Sequence, residues 1–286
     1  EKLRMVYSIV DKFVSLMMGC EKPSCIVWDP IARVVEPTDW KAGGVHEKSA
    51  VETWESLHGV SSWVMDWVKN GFYVEPLEKV PCSEKRNASF LDPKSRQFDE
   101  ERFRFAEEKL KKDEGLGVIR RLGPSKKPDN VNRISLAPKN SEKEPWRLVG
   151  DIRFPNSKYG KKKVKFETLR HVSEIFEPGD WLFLADQKAA YHSMFVQERL
   201  ARQLGFCWKG IYYKWLSLPF GFIHSPYCFQ RLMRQLVKHW RWLERKLLQF
   251  LDDGMGGHSS FVEGVMQRNE LFNLMHALGL RLSTKS

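Results

Sequence analysis

The sequence predicts an α+β protein, an antiparallel sheet with helices on one face. Three observations predict it. The apolar run WLFLAD ends in Asp186, and the run LLQFLDD ends in Asp252 and Asp253 ahead of a glycine-rich stretch. Between them an amphipathic helix opens at Ser225-Pro226. Strand, helix, hairpin and helix in that order give a sheet that is covered on one side.

In chain order, EKLRMVYSIVDKF has the pattern of an amphipathic helix rather than a signal peptide. SSWVMDWVKNGF reads as a second such helix, ended by Asn70-Gly71, with Trp63, Trp67 and Val68 as its core face. Residues 81–97 turn polar, as a linker or surface loop would. FDEERFRFAEEKLKKDEG is a charged helix stopped by Gly115 and Gly117. The next stretch is basic and loop-rich; within it NRISLAP and WRLVGDIRF flank a polar connection, as a hairpin carrying Lys139, Arg147 and Arg153 would. A helix-like ETLRHVSEIF precedes WLFLAD, which is apolar along its length as a buried strand is. KGIYYKWLSLPFG follows with a strand pair and a Pro-Phe-Gly loop. Ser225 reads as the cap of the next helix and Pro226 as its first position. Phe229, Leu232, Met233, Leu236, Val237 and Trp240 then share one helical face, leaving Arg231, Arg234, Lys238 and Arg241 on the others. LLQFLDD, a turn, a helix over 261–278 and LGLRLSTKS complete the chain, with no internal repeat or low-complexity tract.

With 286 residues, 42% hydrophobic content, 11 Trp and 18 Phe, the chain can bury a sizeable core. No apolar run reaches the roughly 18–20 residues of a membrane span, so the expectation is an intracellular protein of cytoplasm or nucleus, neither secreted nor membrane-bound. Its five cysteines, Cys20, Cys25, Cys82, Cys207 and Cys228, are odd in number and scattered, which argues for reduced thiols. Lys and Arg outnumber Asp and Glu by 47 to 36, and the net charge of +11 suits a polyanionic partner.

In that basic chain FLDDGMGG sets two carboxylates side by side. Alone, Asp-Asp-Gly is ordinary turn chemistry. Two unit charges about 4 Å apart repel by roughly 4 kcal/mol at an effective dielectric near 20, so the pair calls for a proton, water or a cation. If the Asp186 strand neighbours the hairpin, three carboxylates converge and a divalent metal becomes the natural counter-charge. Successive strand residues face opposite ways, so Asp252 and Asp253 serve one ion only if the chain turns there; Gly254, Gly256 and Gly257 are expected to permit that turn. Asp186 and Asp252 are then the main ligands, with Asp253 supporting.

The set resembles reverse transcriptases: D-x-x-x-A-Y in DQKAAY, L-P-F-G-x-x-x-S-P-x-x-F-Q in LPFGFIHSPYCFQ, [YF]-x-D-D in FLDD and G-L-x-L-x-x-K-S in GLRLSTKS. Upstream, GVIRRL, ISLAPKN and WRLVGDIRFPN resemble the fingers of that family. The similarity runs over residues 98–286, and SSWVMDWVKNGFYV with LPFG resembles the DIRS-type and gypsy-type (LTR) retrotransposon branch. The resemblance implies a polymerase right-hand fold. Residues 1–97 would be an N-terminal helical extension and linker, 98–180 fingers and 181–286 palm, with the thumb missing or truncated and the whole forming part of a larger polyprotein.

It further implies RNA-directed DNA synthesis on an RNA or DNA template with primer, using dNTP and two Mg²⁺ ions, for which Mn²⁺ can substitute. Asp186, Asp252, Asp253 and the Gln187 carbonyl would hold the metals. Ala190 and Tyr191 would lie at the incoming nucleotide, the Tyr191 ring excluding a 2′-hydroxyl. Lys139 and Arg147 would contact the triphosphate, and Phe220 and Gly221 would lie beside nucleotide and template. Lys285 would protonate the leaving pyrophosphate, while Asp151 and Arg153 would form a structural ion pair. Gln187 and His224 depart from the family's usual residues. The alternatives are a retroelement-derived, catalytically weak or domesticated nucleic-acid-binding protein and an RNA-directed RNA polymerase.

Overall fold

The computed structural model describes residues 40–80, 99–123, 126–139 and 145–283. The expected N-terminal helix, the 81–97 linker, Cys20, Cys25, Cys82 and Lys285 lie outside the described residues. The longer helices are α1 (Lys48–Ser56), α2 (Ser62–Asn70), α3 (Glu100–Gly115), α4 (Ser225–Trp242) and α5 (Phe261–Ala277). The strands are β1 (Ile119–Arg121), β2 (Val131–Pro138), β3 (Trp146–Asp151), β4 (Trp181–Asp186), β5 (Gly205–Trp208), β6 (Ile211–Trp215), β7 (Lys246–Phe250) and β8 (Asp253–His258).

These strands form two sheets. A three-stranded sheet runs β4-β8-β7 and is antiparallel throughout. A five-stranded sheet runs β1-β6-β5-β2-β3 and contains one parallel pair, β2 with β5. The expected hairpin is β2–β3, joined in register from Arg133↔Asp151 to Pro138↔Trp146. The 98–180 and 181–286 segments do not follow the sheets, because β5 and β6 from the second complete the sheet begun in the first. Contacts distant in sequence make that join. Asn132 donates Nδ2 to the carbonyls of Gln203 (2.9 Å) and Gly205 (3.0 Å), and a Cβ at Gly205 would lie 2.2 Å from Pro128.

The core joins both sheets to α4, which packs on β7. Its predicted apolar face is the buried one, with Phe229, Leu232, Met233, Leu236 and Trp240 nearly solvent-free. Full burial of such side chains is worth about 1.5–3 kcal/mol each, before entropy is subtracted. Asp99 caps α3 by accepting from the Arg102 N–H, and Gly117 follows the helix with φ 74°. On α2 the expectation needs correction. Val64 and Val68 enter the core and Trp67 is half-buried, whereas Trp63 remains 41% exposed. The stripe that faces inward follows the valines four apart, and Trp63 stands one position off it.

Residues 40–80 belong to the same body. Trp54 is fully buried and donates Nε1 to the Leu278 carbonyl at 3.0 Å. Gly44 and Gly279 bring their main chains so close that a Cβ on Gly279 would lie 2.1 Å from the Gly44 carbonyl. His46 spans two further segments through Val68 O and the Phe195 N–H, both at 2.7 Å. Among the described residues no helix is long and apolar enough to cross a membrane.

Candidate active site

At one end of the three-stranded sheet, Asp186 on β4 is directly opposite Asp253 on β8. Directly opposed residues have Cβ atoms about 4.5–5.5 Å apart, and like charges so placed destabilise a sheet. Asp252 precedes Asp253 in a two-residue loop, and its carbonyl accepts from the Gln187 N–H at 2.9 Å. All three acids therefore sit on neighbouring main-chain positions at one sheet end.

The turn that separates Asp252 from Asp253 falls on different residues from those expected. Leu251 takes φ 54°, the positive first position of a two-residue hairpin loop where glycine is usual. A left-handed backbone costs a non-glycine residue roughly 1–2 kcal/mol. Two buried glutamines offset this: Gln230 Oε1 accepts from the Leu251 N–H at 3.3 Å, and Gln249 Nε2 donates to its carbonyl at 2.6 Å. Gln249 is itself held through its N–H by Glu167, which pairs with Arg241. Gly254, Gly256 and Gly257 lie within β8 instead. Their lack of side chains admits β4: a Cβ at Gly256 would lie 2.2 Å from the Phe183 ring, and one at Gly257 2.8 Å from Leu182.

Behind the acids the LGLRLS segment runs alongside the end of β4. The Ser283 N–H donates to Asp186 O at 2.7 Å, and the Lys188 N–H to Arg281 O at 2.9 Å. Gln187 is 3% exposed, its amide donating to Met233 Sδ at 3.6 Å, so α4 accommodates a polar residue there.

A second group of residues faces this end. Ala190 and Tyr191 occupy a single 3₁₀ turn entered through Ala189 at φ 55°. The Tyr191 ring lies 5.2 Å from Phe220 and 5.8 Å from Phe229, and the Arg147 guanidinium is 4.7 Å above Phe220. The Tyr191 hydroxyl is pushed up to about 12, chiefly by burial and then by the Asp252 carboxylate, with Arg147 opposing them. Tyr191 thus stands electrostatically between an acid of the first group and a cation of the second. On the β2–β3 hairpin Arg147 pairs with Ala137, so alternation puts Arg147 on the same face as exposed Lys139. Asp151 and Arg153 form the expected ion pair at 2.7 Å.

The Pro-Phe-Gly loop is fixed from three directions. Asn156 donates Nδ2 to the Gly221 carbonyl (2.8 Å) and accepts from the Ile223 N–H (3.0 Å). Ser225 Oγ donates to Pro219 O at 2.8 Å, and buried His192 meets Ser217 at 3.0 Å. Gly221 has φ 97°, and a Cβ there would lie 2.8 Å from the Gly150 carbonyl. Its demonstrated close approach is thus to β3. Sequence reasoning missed Asn156, Gln230 and Gln249. All three stand in segments singled out from the sequence, Asn156 in WRLVGDIRFPN, Gln230 in LPFGFIHSPYCFQ and Gln249 in LLQFLDD, but nothing local revealed their partners, which for Asn156 lie 65 residues away.

Among the described residues no three His, Cys, Asp or Glu side chains form a ready metal cage. The donor chemistry nevertheless suits Mg²⁺. That ion keeps water and binds through one or two carboxylates plus substrate phosphates rather than through an all-protein shell. Two opposed carboxylates with a third beside them meet that requirement.

The profile of the family described as "Reverse transcriptase (RNA-dependent DNA polymerase)" matches residues 138–285. Among solved structures, the native protease-reverse transcriptase of prototype foamy virus is similar with a TM-score of 0.52 and 17% identity, over 76% of this chain and 26% of that one. Its selenomethionine-labelled CSH mutant gives 0.53 and 18% over the same shares. The α+β right-hand polymerase fold is therefore common to this chain and the viral enzyme, of whose length it spans about a quarter. No protein with a curated description matches the chain.

Proposed function

Because the chain belongs to the reverse transcriptase family, we propose that it is an RNA-directed DNA polymerase extending a primer from dNTP on an RNA or DNA template. The observation that carries this reading is the Asp186↔Asp253 register with Asp252 beside it, facing Tyr191 and Arg147.

Two Mg²⁺ ions, held by Asp186, Asp252, the Gln187 carbonyl and supporting Asp253, would supply charge neutralisation at the attacking and leaving oxygens. Arg147 and Lys139 bind the triphosphate and offset its charge as the bond to the pyrophosphate breaks. Arg147, held over Phe220, reaches the phosphates from a fixed position. Tyr191 lies beneath the sugar; packed against Phe220 and Phe229, its ring cannot yield to a 2′-hydroxyl. Asn156 and Ser225 keep the Phe220-Gly221 loop rigid beside nucleotide and template. Lys285 returns a proton to the pyrophosphate.

The segments SSWVMDWVKNGFYV and LPFG favour an origin in a DIRS-type or gypsy-type retrotransposon, with the chain as fingers and palm of a polyprotein. Primer extension on poly-rA with oligo-dT tests the proposal: template-dependent dTMP incorporation is expected. Tight template–primer binding without synthesis would instead identify a domesticated binding protein, and preference for rNTP an RNA polymerase.

A further inference from the structure

The face where α2 meets α4 sets exposed Trp63 and half-buried Tyr227 beside cations that, among the described residues, pair with no carboxylate. Trp63 is 41% exposed yet held in place, with Trp67 edge-on at 4.9 Å and the Arg231 guanidinium 5.8 Å from its ring. The same guanidinium lies 5.4 Å from the Tyr227 ring, and Tyr227 meets Trp67 at 6.2 Å. Among the described residues neither Arg231 nor exposed Arg234 pairs with a carboxylate. The acid of α2, Asp66, accepts from Asn70 at 2.7 Å. A large indole left in water beside cations is an unusual surface for a folded domain, and its chemistry is that of a base-stacking platform: π-faces for bases and guanidinium groups for phosphates.

This face is also packed against the candidate active site through buried rings. Tyr227 lies 6.2 Å from His224, which lies 5.6 Å from Phe222 beside the Phe220-Gly221 loop. Burial lowers the proton affinity of the same histidine, and exposed Lys162 lowers it further. Phe229, on the buried side of the same helix, touches Tyr191. Ring contacts, buried at Phe222 and His224, therefore join the loop proposed to border the template to the Trp63 face, which lies outside the 138–285 segment matched by the family profile.

We propose that Trp63, Tyr227 and Arg231 form a stacking site for an unpaired nucleic-acid strand, the single-stranded template beyond the primer. This rests on the polymerase reading for the strand's identity alone, since single strands would bind whether or not synthesis follows. One or more bases would stack on Trp63 and Tyr227, with Arg231 and Arg234 between phosphates. Charge complementarity with a chain of net charge +11 favours a polyanion over an apolar partner protein.

The test uses the full chain, EDTA and no dNTP, and reads fluorescence anisotropy of a labelled oligo-rU strand of about 15 nucleotides, within the range of known single-strand sites. A blunt RNA–DNA hybrid is the control. Trp63→Ala should weaken oligo-rU binding about tenfold, Trp63→Phe should restore most of it, and the hybrid should be unaffected. Arg231→Gln should weaken the single strand and reduce its log–log salt slope by about 0.7. Unchanged oligo-rU binding in both Trp63→Ala and Arg231→Gln overturns the proposal, as does an equal loss on strand and hybrid. An inactive polymerase that passes this test sinks the polymerase reading alone, and an active one that fails it sinks this proposal alone.

Discussion

Replacing Gly279 by alanine should disturb the site from behind without touching any proposed ligand. Gly279 has φ 74°, which costs an alanine roughly 1–2 kcal/mol. The new Cβ would lie 2.1 Å from the carbonyl carbon and oxygen of Gly44 and 2.6 Å from the Val45 nitrogen. Carbon contacts are normally about 3.5–4.0 Å, so two main chains must part by more than about 1 Å. Overpacking of this kind adds about 1–3 kcal/mol, for a total of about 2–5 kcal/mol, a large share of the roughly 5–15 kcal/mol that holds a domain folded. Because the displaced segment carries the Ser283 N–H that bonds Asp186 O, a shift near 1 Å should also lower kcat/KM for dTMP incorporation by up to about 10²-fold. Gly210→Ala is the control, with φ 75° and nothing within 4 Å of its Cβ; it should lose only the conformational part, about 1–2 kcal/mol. Urea unfolding followed by tryptophan fluorescence compares the two. Equal destabilisation within about 0.5 kcal/mol, the usual scatter of surface substitutions, would refute the proposed backbone contact.

His46 predicts a pH effect. Nδ1–H donates to Val68 O while Nε2 accepts from the Phe195 N–H, so the ring is held neutral, and burial lowers its pKa from 6.5 to about 4. Below pH 6.5 the unfolded chain takes up a proton that the folded chain refuses, so stability falls as pH drops towards 4, by up to about 1.4 kcal/mol per pH unit. His46→Gln should remove one proton's worth of that slope in urea titrations between these pH values. At the strained turn, Leu251→Ile should destabilise by about 1–2 kcal/mol, because a β-branched side chain tolerates positive φ poorly, whereas Leu251→Gly should not; thermal unfolding distinguishes them. Tyr191→Ala should narrow the dNTP-to-rNTP ratio of kcat/KM in single-nucleotide incorporation, and an unchanged ratio would remove Tyr191 from the sugar site.

The parts legible from sequence are those whose cause is local. The α4 face from Phe229 to Trp240 is a periodicity, and the Asp151–Arg153 pair, implied by the family resemblance, joins residues two apart. Residues whose position depends on distant partners were not legible. Trp63 matched a helical stripe, but Val64 and Val68 decided which stripe turned inward. Gly256 looked like a turn residue because DDGMGG is locally turn-like, yet it serves the Phe183 ring across the sheet. Leu251 carries the turn, and no local rule favours leucine there; Gln230, 21 residues upstream, helps to hold it. The union of β5–β6 with β2 was hidden for the same reason, since Gly205 and Pro128 meet only in the folded chain.

The central claim is that the acids at the end of β4 and in the β7–β8 hairpin perform nucleotidyl transfer. The most direct measurement sets single-turnover dTMP incorporation beside template–primer affinity for the parent chain and for Asp186→Asn and Asp252→Asn. Each substitution should slow incorporation by at least about 10²-fold, the scale of losing a central electrostatic group, while affinity stays within about twofold. Incorporation at the parental rate by either variant would contradict the assignment.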